Sequence, residues 1–148
     1  MCLWNITKRS KPNSKIQVAW KLMKGLTGTI TVFNDTELVP AVWKKAATST
    51  FGDGTLATES SRRTANTHKQ RVRYPTGFHV YKTEATARRA LDFFLRQVAA
   101  GREDWRVRPV LVRNVHTEGT DGASTSWNYR RKKPMTLVAD EIMLIPGY

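Results

Sequence analysis

The sequence predicts an α+β fold: a single domain over 1–148, built as a mainly antiparallel sheet of about five strands with one principal helix packed on one face and two long basic loops. Three observations carry this. Short β-branched runs are punctuated by Gly and Pro; one segment alone repeats its apolar residues at helical spacing; two stretches crowded with cations have neither period. A chain of 148 residues suits one core. Its 40% hydrophobic residues and five Trp exceed what a disordered chain carries.

The elements follow in chain order. Ile16, Val18, Trp20 and Leu22 alternate with Gln17, Ala19, Lys21 and Met23, the pattern of a half-buried strand. Gly25 to Gly28 supplies a turn, and the β-branched Thr29 to Phe33 suits the second strand of a hairpin that Asn34 and Asp35 end. Val39 to Ala47 fits a short helix or an irregular segment equally. Pro75 and Gly77 precede a short strand, Phe78 to Tyr81, in which Phe78 and Val80 share one face and His79 and Tyr81 the other. Thr83 then caps a helix, with Glu84 in the first turn, an apolar stripe of Ala87, Leu91, Phe94, Leu95 and Val98, and Gly101 as its stop. Arg88, Arg89 and Arg96 face away from that stripe. Trp105 to His116 reads as a strand, which Pro109 confines to an edge, an end or a bulge. Met135 to Ile145 is the last strand. Its apolar positions change phase around Ala139, Asp140 and Glu141, which predicts a bulge there.

Charge is the strongest global signal. The 25 Lys and Arg against 12 Asp and Glu leave +13, and the first 74 residues hold +9 of it. Such a surface favours polyanions, nucleic acid first. The excess gathers in 59–74 and 120–134, both expected to be mobile loops. Arg62, Arg63, Lys69, Arg71 and Arg73 lead into Tyr74; Trp127 and Tyr129 precede Arg130, Arg131, Lys132 and Lys133. Cations that displace counterions beside aromatic faces that stack bases are the two parts a nucleic-acid site needs. No sequence-reading motif accompanies them, so little specificity is expected. No run approaches the roughly 20 apolar residues of a membrane span, and the sequence predicts a soluble, intracellular protein with no membrane partner.

Catalytic and metal chemistry have thin support. His79 follows a turn, but His68 and His116 give it no patterned partner, so it is expected to be structural or a simple contact; an enzyme using His79 is the third reading. Cys2 could serve as an amino-terminal nucleophile, but Leu3-Trp4-Asn5 does not continue such a motif. No catalytic residue, metal or cofactor is expected.

The Met-Cys start, Ala19-Trp20-Lys21, Gly77-Phe78-His79-Val80-Tyr81 leading into Thr83-Glu84-Ala85, the run from Val110 to Gly119 and the closing strand Val138 to Leu144 together resemble small phage-encoded proteins of unassigned function. The resemblance implies a virus-encoded accessory protein in the host cell cytoplasm and brings no catalytic residues. The reading that results is a non-enzymatic protein that binds RNA or single-stranded DNA through its basic loops. The alternative is a protein–protein effector that inhibits a host or anti-phage defence complex by docking on its acidic surface.

Overall fold

The computed structural model describes residues 3–11, 13–32, 35–46, 60–62, 70–72, 77–97, 104–121 and 135–147. The strands are β1 (Leu3–Arg9), β2 (Ile16–Lys24), β3 (Ile30–Thr31), β4 (Trp43–Lys45), β5 (Ser60–Arg62), β6 (Gln70–Val72), β7 (Phe78–Tyr81), β8 (Arg106–Asp121) and β9 (Met135–Leu144); the helix α1 (Glu84–Gln97) lies between β7 and β8. Seven strands form one sheet, and β5 and β6 form a separate antiparallel ribbon. The α+β expectation holds, with more strands than the five expected. The additions are short or weakly patterned: β1 ends in Lys8 and Arg9, and β4 is the segment that fitted helix or irregular chain equally, while the expected hairpin strand over Thr29 to Phe33 is present as the two-residue β3.

The ladders close on themselves. β8 pairs with β2, β2 meets β7 at the single pair Trp20–Tyr81, β7 pairs with β9, and β9 returns to β8, all antiparallel. The result is a small, coiled barrel. β8 organises it. A 16-residue strand would run about 50 Å if straight, too long for a core this small, so it has to bend. The bend falls at Asn114, whose φ is +59°, and at His116, where the β8–β9 register shifts by one residue. There β8 exchanges partners, from β2 (ending at Ile16–Arg113) to β1 (beginning at Arg9–Thr117). At the same level β9 passes from β7 to β4 across Asp140. This explains the phase change seen in the last strand, with one correction: the extra residue of the bulge sits on β8, facing β9, not on β9 itself.

Two cores result, on opposite sides of β2. Ala19 and Met23 face inward with Val80, Val110, Val112, Leu137, Ala139, Ile142 and Leu144, and fill the barrel. Trp20 and Leu22 face outward, where α1 covers them with Ala87, Ala90, Leu91 and Phe94, joined by Tyr81. Val80 and Tyr81 divide between the two as alternation requires. Each fully buried aliphatic side chain contributes about 1.5–3 kcal/mol. Val98 and Gly101, expected in the helix and at its end, lie outside the described residues.

Two further expectations are corrected. The strand expected to stop before Glu118 runs on to Asp121, because β1 supplies a partner for its last residues. The segment 59–74, expected as a loop throughout, contains paired strands: Ser60 faces Val72, Ser61 Arg71 and Arg62 Gln70. Pro109 is tolerated because it faces Trp20 on one side, one residue before the β9 ladder opens at Val110.

Candidate anion-binding surface

The sequence-predicted site residues divide sharply. Arg62 and Arg71 lie on β5 and β6, which rest against β1. Arg63, Lys69, Arg73, Tyr74, Trp127, Tyr129, Arg130, Arg131, Lys132 and Lys133 lie outside the described residues, as does Cys2. The segment 122–134 joins Asp121, which faces Leu3 of β1, to the start of β9. Both basic segments are therefore connected to the body beside β1.

At one mouth of the barrel the described chain builds a basic site that the sequence reading missed. A polar pocket of about 230 Å³ is lined there by Lys8 of β1, Ser10, Asn13 and Lys15 of the connection to β2, Lys82 beyond β7 and Glu118 of β8, with Leu137 in its wall. Asn13 shapes the connection. Its backbone N–H donates to Asn114 Oδ1 (2.9 Å), its own Oδ1 accepts from Lys15 N–H (3.0 Å), and its Nδ2 donates to Lys11 O (3.3 Å). Ser10 N–H donates to His116 O at 2.9 Å, tying the segment to the bend of β8. The charges are unequal in availability. Lys82 is held by Glu118 at 2.8 Å, whereas Lys8, Lys11 and Lys15 are exposed and have no ion-pair partner among the described residues. The signal was present as Lys8-Arg9-Ser10-Lys11-Pro12-Asn13-Ser14-Lys15, four cations around turn-forming residues. On the helix, Glu84 neutralises Arg88 (Nη2–Oε1 2.7 Å), while Arg89 and Arg96 are exposed.

The two described histidines have settled surroundings. His79 sits on β7 opposite Val138, after a glycine that the fold needs: a Cβ on Gly77 would come within 2.7 Å of Ala139 O. Burial, with the nearby charge of Lys21, pushes the His79 imidazole down to about 3, so it is neutral at pH 7. His116 is buried, its Nδ1 2.8 Å from Thr117 Oγ1 and its Nε2 3.3 Å from Asp140 Oδ1. Asp140 also accepts from Asn114 Nδ2, and beside it Arg113 grips Glu141 through Nε (2.5 Å) and Nη2 (2.9 Å). Hydroxyl, imidazole and carboxylate in sequence form a pattern that activates nucleophiles; here Thr117, in the wall of the lysine pocket, is only 1% exposed. The cluster braces the bend shared by β8 and β9. Among the described residues no group of three or more His, Cys, Asp or Glu is placed to hold a metal, and no helix is long and apolar enough to cross a membrane.

On the outer sheet face Val18, Leu111, Met143 and Trp43 stand opposite one another across β2, β8, β9 and β4, Val18 48% exposed and the other three half-buried among the described residues. The Arg113 guanidinium lies 4.3 Å from the centre of the Trp43 ring. Fold and site together define a small closed-sheet α+β protein with a basic mouth. No family model, curated protein or solved structure matches the chain.

Proposed function

We propose that the protein binds nucleic acid, RNA or single-stranded DNA, with little sequence specificity and without catalysis of its own, as an accessory protein encoded by a phage. The observation that carries this reading is the barrel mouth lined by Lys8 and Lys15, which with the neighbouring Lys11 are exposed and have no ion-pair partner among the described residues, the mouth's own Glu118 being held by Lys82. A surface of that kind gains most from phosphates, since each contact releases a condensed counterion. Both basic segments join the body beside β1, which supports a share for their cations in the same phosphate contacts. Stacking falls to Tyr74, Trp127 and Tyr129 in the same segments.

The test is fluorescence anisotropy with labelled oligo-uridine and oligo-thymidine across a salt series. Affinity should fall steeply with salt, and Lys8→Gln with Lys15→Gln should flatten the log–log slope by about 1.4, the contribution of two cations on a single strand. An affinity indifferent to salt, or a slope unchanged in the double variant and in the Arg130–Lys133 neutralisation alike, overturns the reading. The apolar row Val18–Leu111–Met143–Trp43, partly exposed among the described residues, favours a second reading, an effector that docks on an acidic host complex through an apolar centre with cationic flanks. A stoichiometric protein partner that survives nuclease treatment and is lost in Val18→Glu would support docking over nucleic-acid binding.

A further inference from the structure

The barrel interior contains two buried cations that have no ion-pair partner among the described residues. Lys21 and Arg108 face each other across β2 and β8, at 9% and 4% exposure, on the side that fills the core. Like charges directly opposite on a sheet are unfavourable, and buried charges are normally paired. These two have only backbone acceptors: Lys21 Nζ donates to His79 O (2.7 Å), while Arg108 Nη1 donates to Thr27 O (3.1 Å) and Gly28 O (3.3 Å), and Nη2 to Ile145 O (3.0 Å). Those bonds give Arg108 a structural duty, pinning the β2–β3 turn to the end of β9. They do not use all of it. A guanidinium has five N–H donors, and the buried Nε has no acceptor among the described residues. Nε and Nη2 form the edge with which Arg113 grips the Glu141 carboxylate, so one chain shows that edge both occupied and half empty.

Arg108 also lines a cavity of about 490 Å³ at the other mouth of the barrel, away from the lysine pocket. Leu38, Val39 and Pro40 make its walls apolar, Thr27 and Thr29 add hydroxyls 2.8 Å apart, and the exposed Glu37 also lines it, so an anion has to sit at the arginine and threonine end. Apolar walls with a few convergent polar groups are the usual make-up of a small-molecule site. Gly28 keeps this corner passable for the arginine: it holds φ +65°, and a Cβ there would come within 3.2 Å of Arg108 Cδ and 2.8 Å of Arg106 Cδ. We propose that this cavity binds a small organic anion, its carboxylate or phosphate head on Arg108 and the threonine hydroxyls, its apolar body against Leu38, Val39 and Pro40. The ligand supplies the counter-charge that Arg108 lacks among the described residues. This site lies apart from the lysine mouth and stands whether or not the protein binds nucleic acid.

The test follows the Arg108 Nε–Hε cross-peak in ¹⁵N–¹H spectra of the full chain during titration with hexanoate, hexanamide and inorganic phosphate. Hexanoate should give a saturable shift, with the neutral amide and the tail-less phosphate each weaker by about ten-fold or more, as loss of a charge-assisted bond or of a buried tail implies. Arg108→Met removes the reporting group, so its binding is followed by calorimetry, where the hexanoate heat should be lost. Because that change also removes three structural bonds, Val39→Glu and Val39→Lys provide a second arm at a residue 60% exposed on the rim. Hexanoate should bind several-fold more weakly to the first and more tightly to the second. A non-saturating drift, equal binding of all three probes, or no opposite response in the Val39 pair overturns the proposal.

Discussion

Lys21 replaces a piece of sheet with a side chain. β7 meets β2 only at Trp20–Tyr81, because the next stretch of β2 is taken by β3 and by Val32, whose N–H donates to Leu22 O at 3.3 Å. The carbonyl of His79 then faces a gap, and the Lys21 ammonium fills it. Burial pulls that ammonium from 10.5 down to about 8. The unfolded chain keeps its proton up to about 10.5, so between pH 8 and 10.5 the unfolded state binds more protons and stability rises with pH; below pH 8 the cost is present in full. The whole window amounts to about 3 kcal/mol. Urea unfolding of the protein and of Lys21→Met should show the stability difference shifting by about that much in favour of the wild-type chain from neutral pH to about 10.5. A difference constant with pH would mean that the amine titrates as it does in water.

At the scale of elements, α1 is held at its start by side-chain chemistry. Thr83 Oγ1 accepts from Thr86 N–H at 3.2 Å and lies 2.7 Å from the Thr86 hydroxyl, and its carbonyl accepts the first helical bond, from Ala87 N–H at 3.1 Å. Thr83→Ala should cost about 1 kcal/mol in chemical denaturation, and Thr83→Ser much less; equal losses would assign the effect to packing. This cap was legible in the sequence because it is local: threonine, then Glu84, then a 3.6-residue stripe. So were β2, β7 and β9, whose alternation is strong. What escaped depends on pairing at a distance. Trp43–Lys45 becomes a strand because β9 offers its edge, Ser60–Arg62 because Gln70–Val72 returns beside it, and the bulge falls on β8 because β8 is the strand that exchanges neighbours at Asn114. The lysine mouth escaped for a related reason. Only the fold brings Lys82 and Leu137 to Lys8 and Lys15, and a charge run alone reads as a solvated loop.

Over the whole molecule, closure of the ladders leaves few free strand borders. Among the described residues β4 pairs with β9 alone and presents an open side, whereas β1 pairs with β8 and has the β5–β6 ribbon against it. An open strand is a template for a neighbouring chain. β4 ends in consecutive cations, Lys44-Lys45, and a second copy approaching edge to edge would meet its own charge. The guard is electrostatic and therefore fades within a Debye length of about 8 Å at physiological salt. Light scattering should find particles of one size at low ionic strength and growth as salt is added, with the onset moved to lower salt in Lys44→Thr with Lys45→Thr. If the double variant scatters as the parent does at every salt concentration, those lysines are not what keeps copies apart. The same positive charge that would draw phosphates in thus also acts against self-aggregation, and a solution freed of its polyanion is where that second service is needed most.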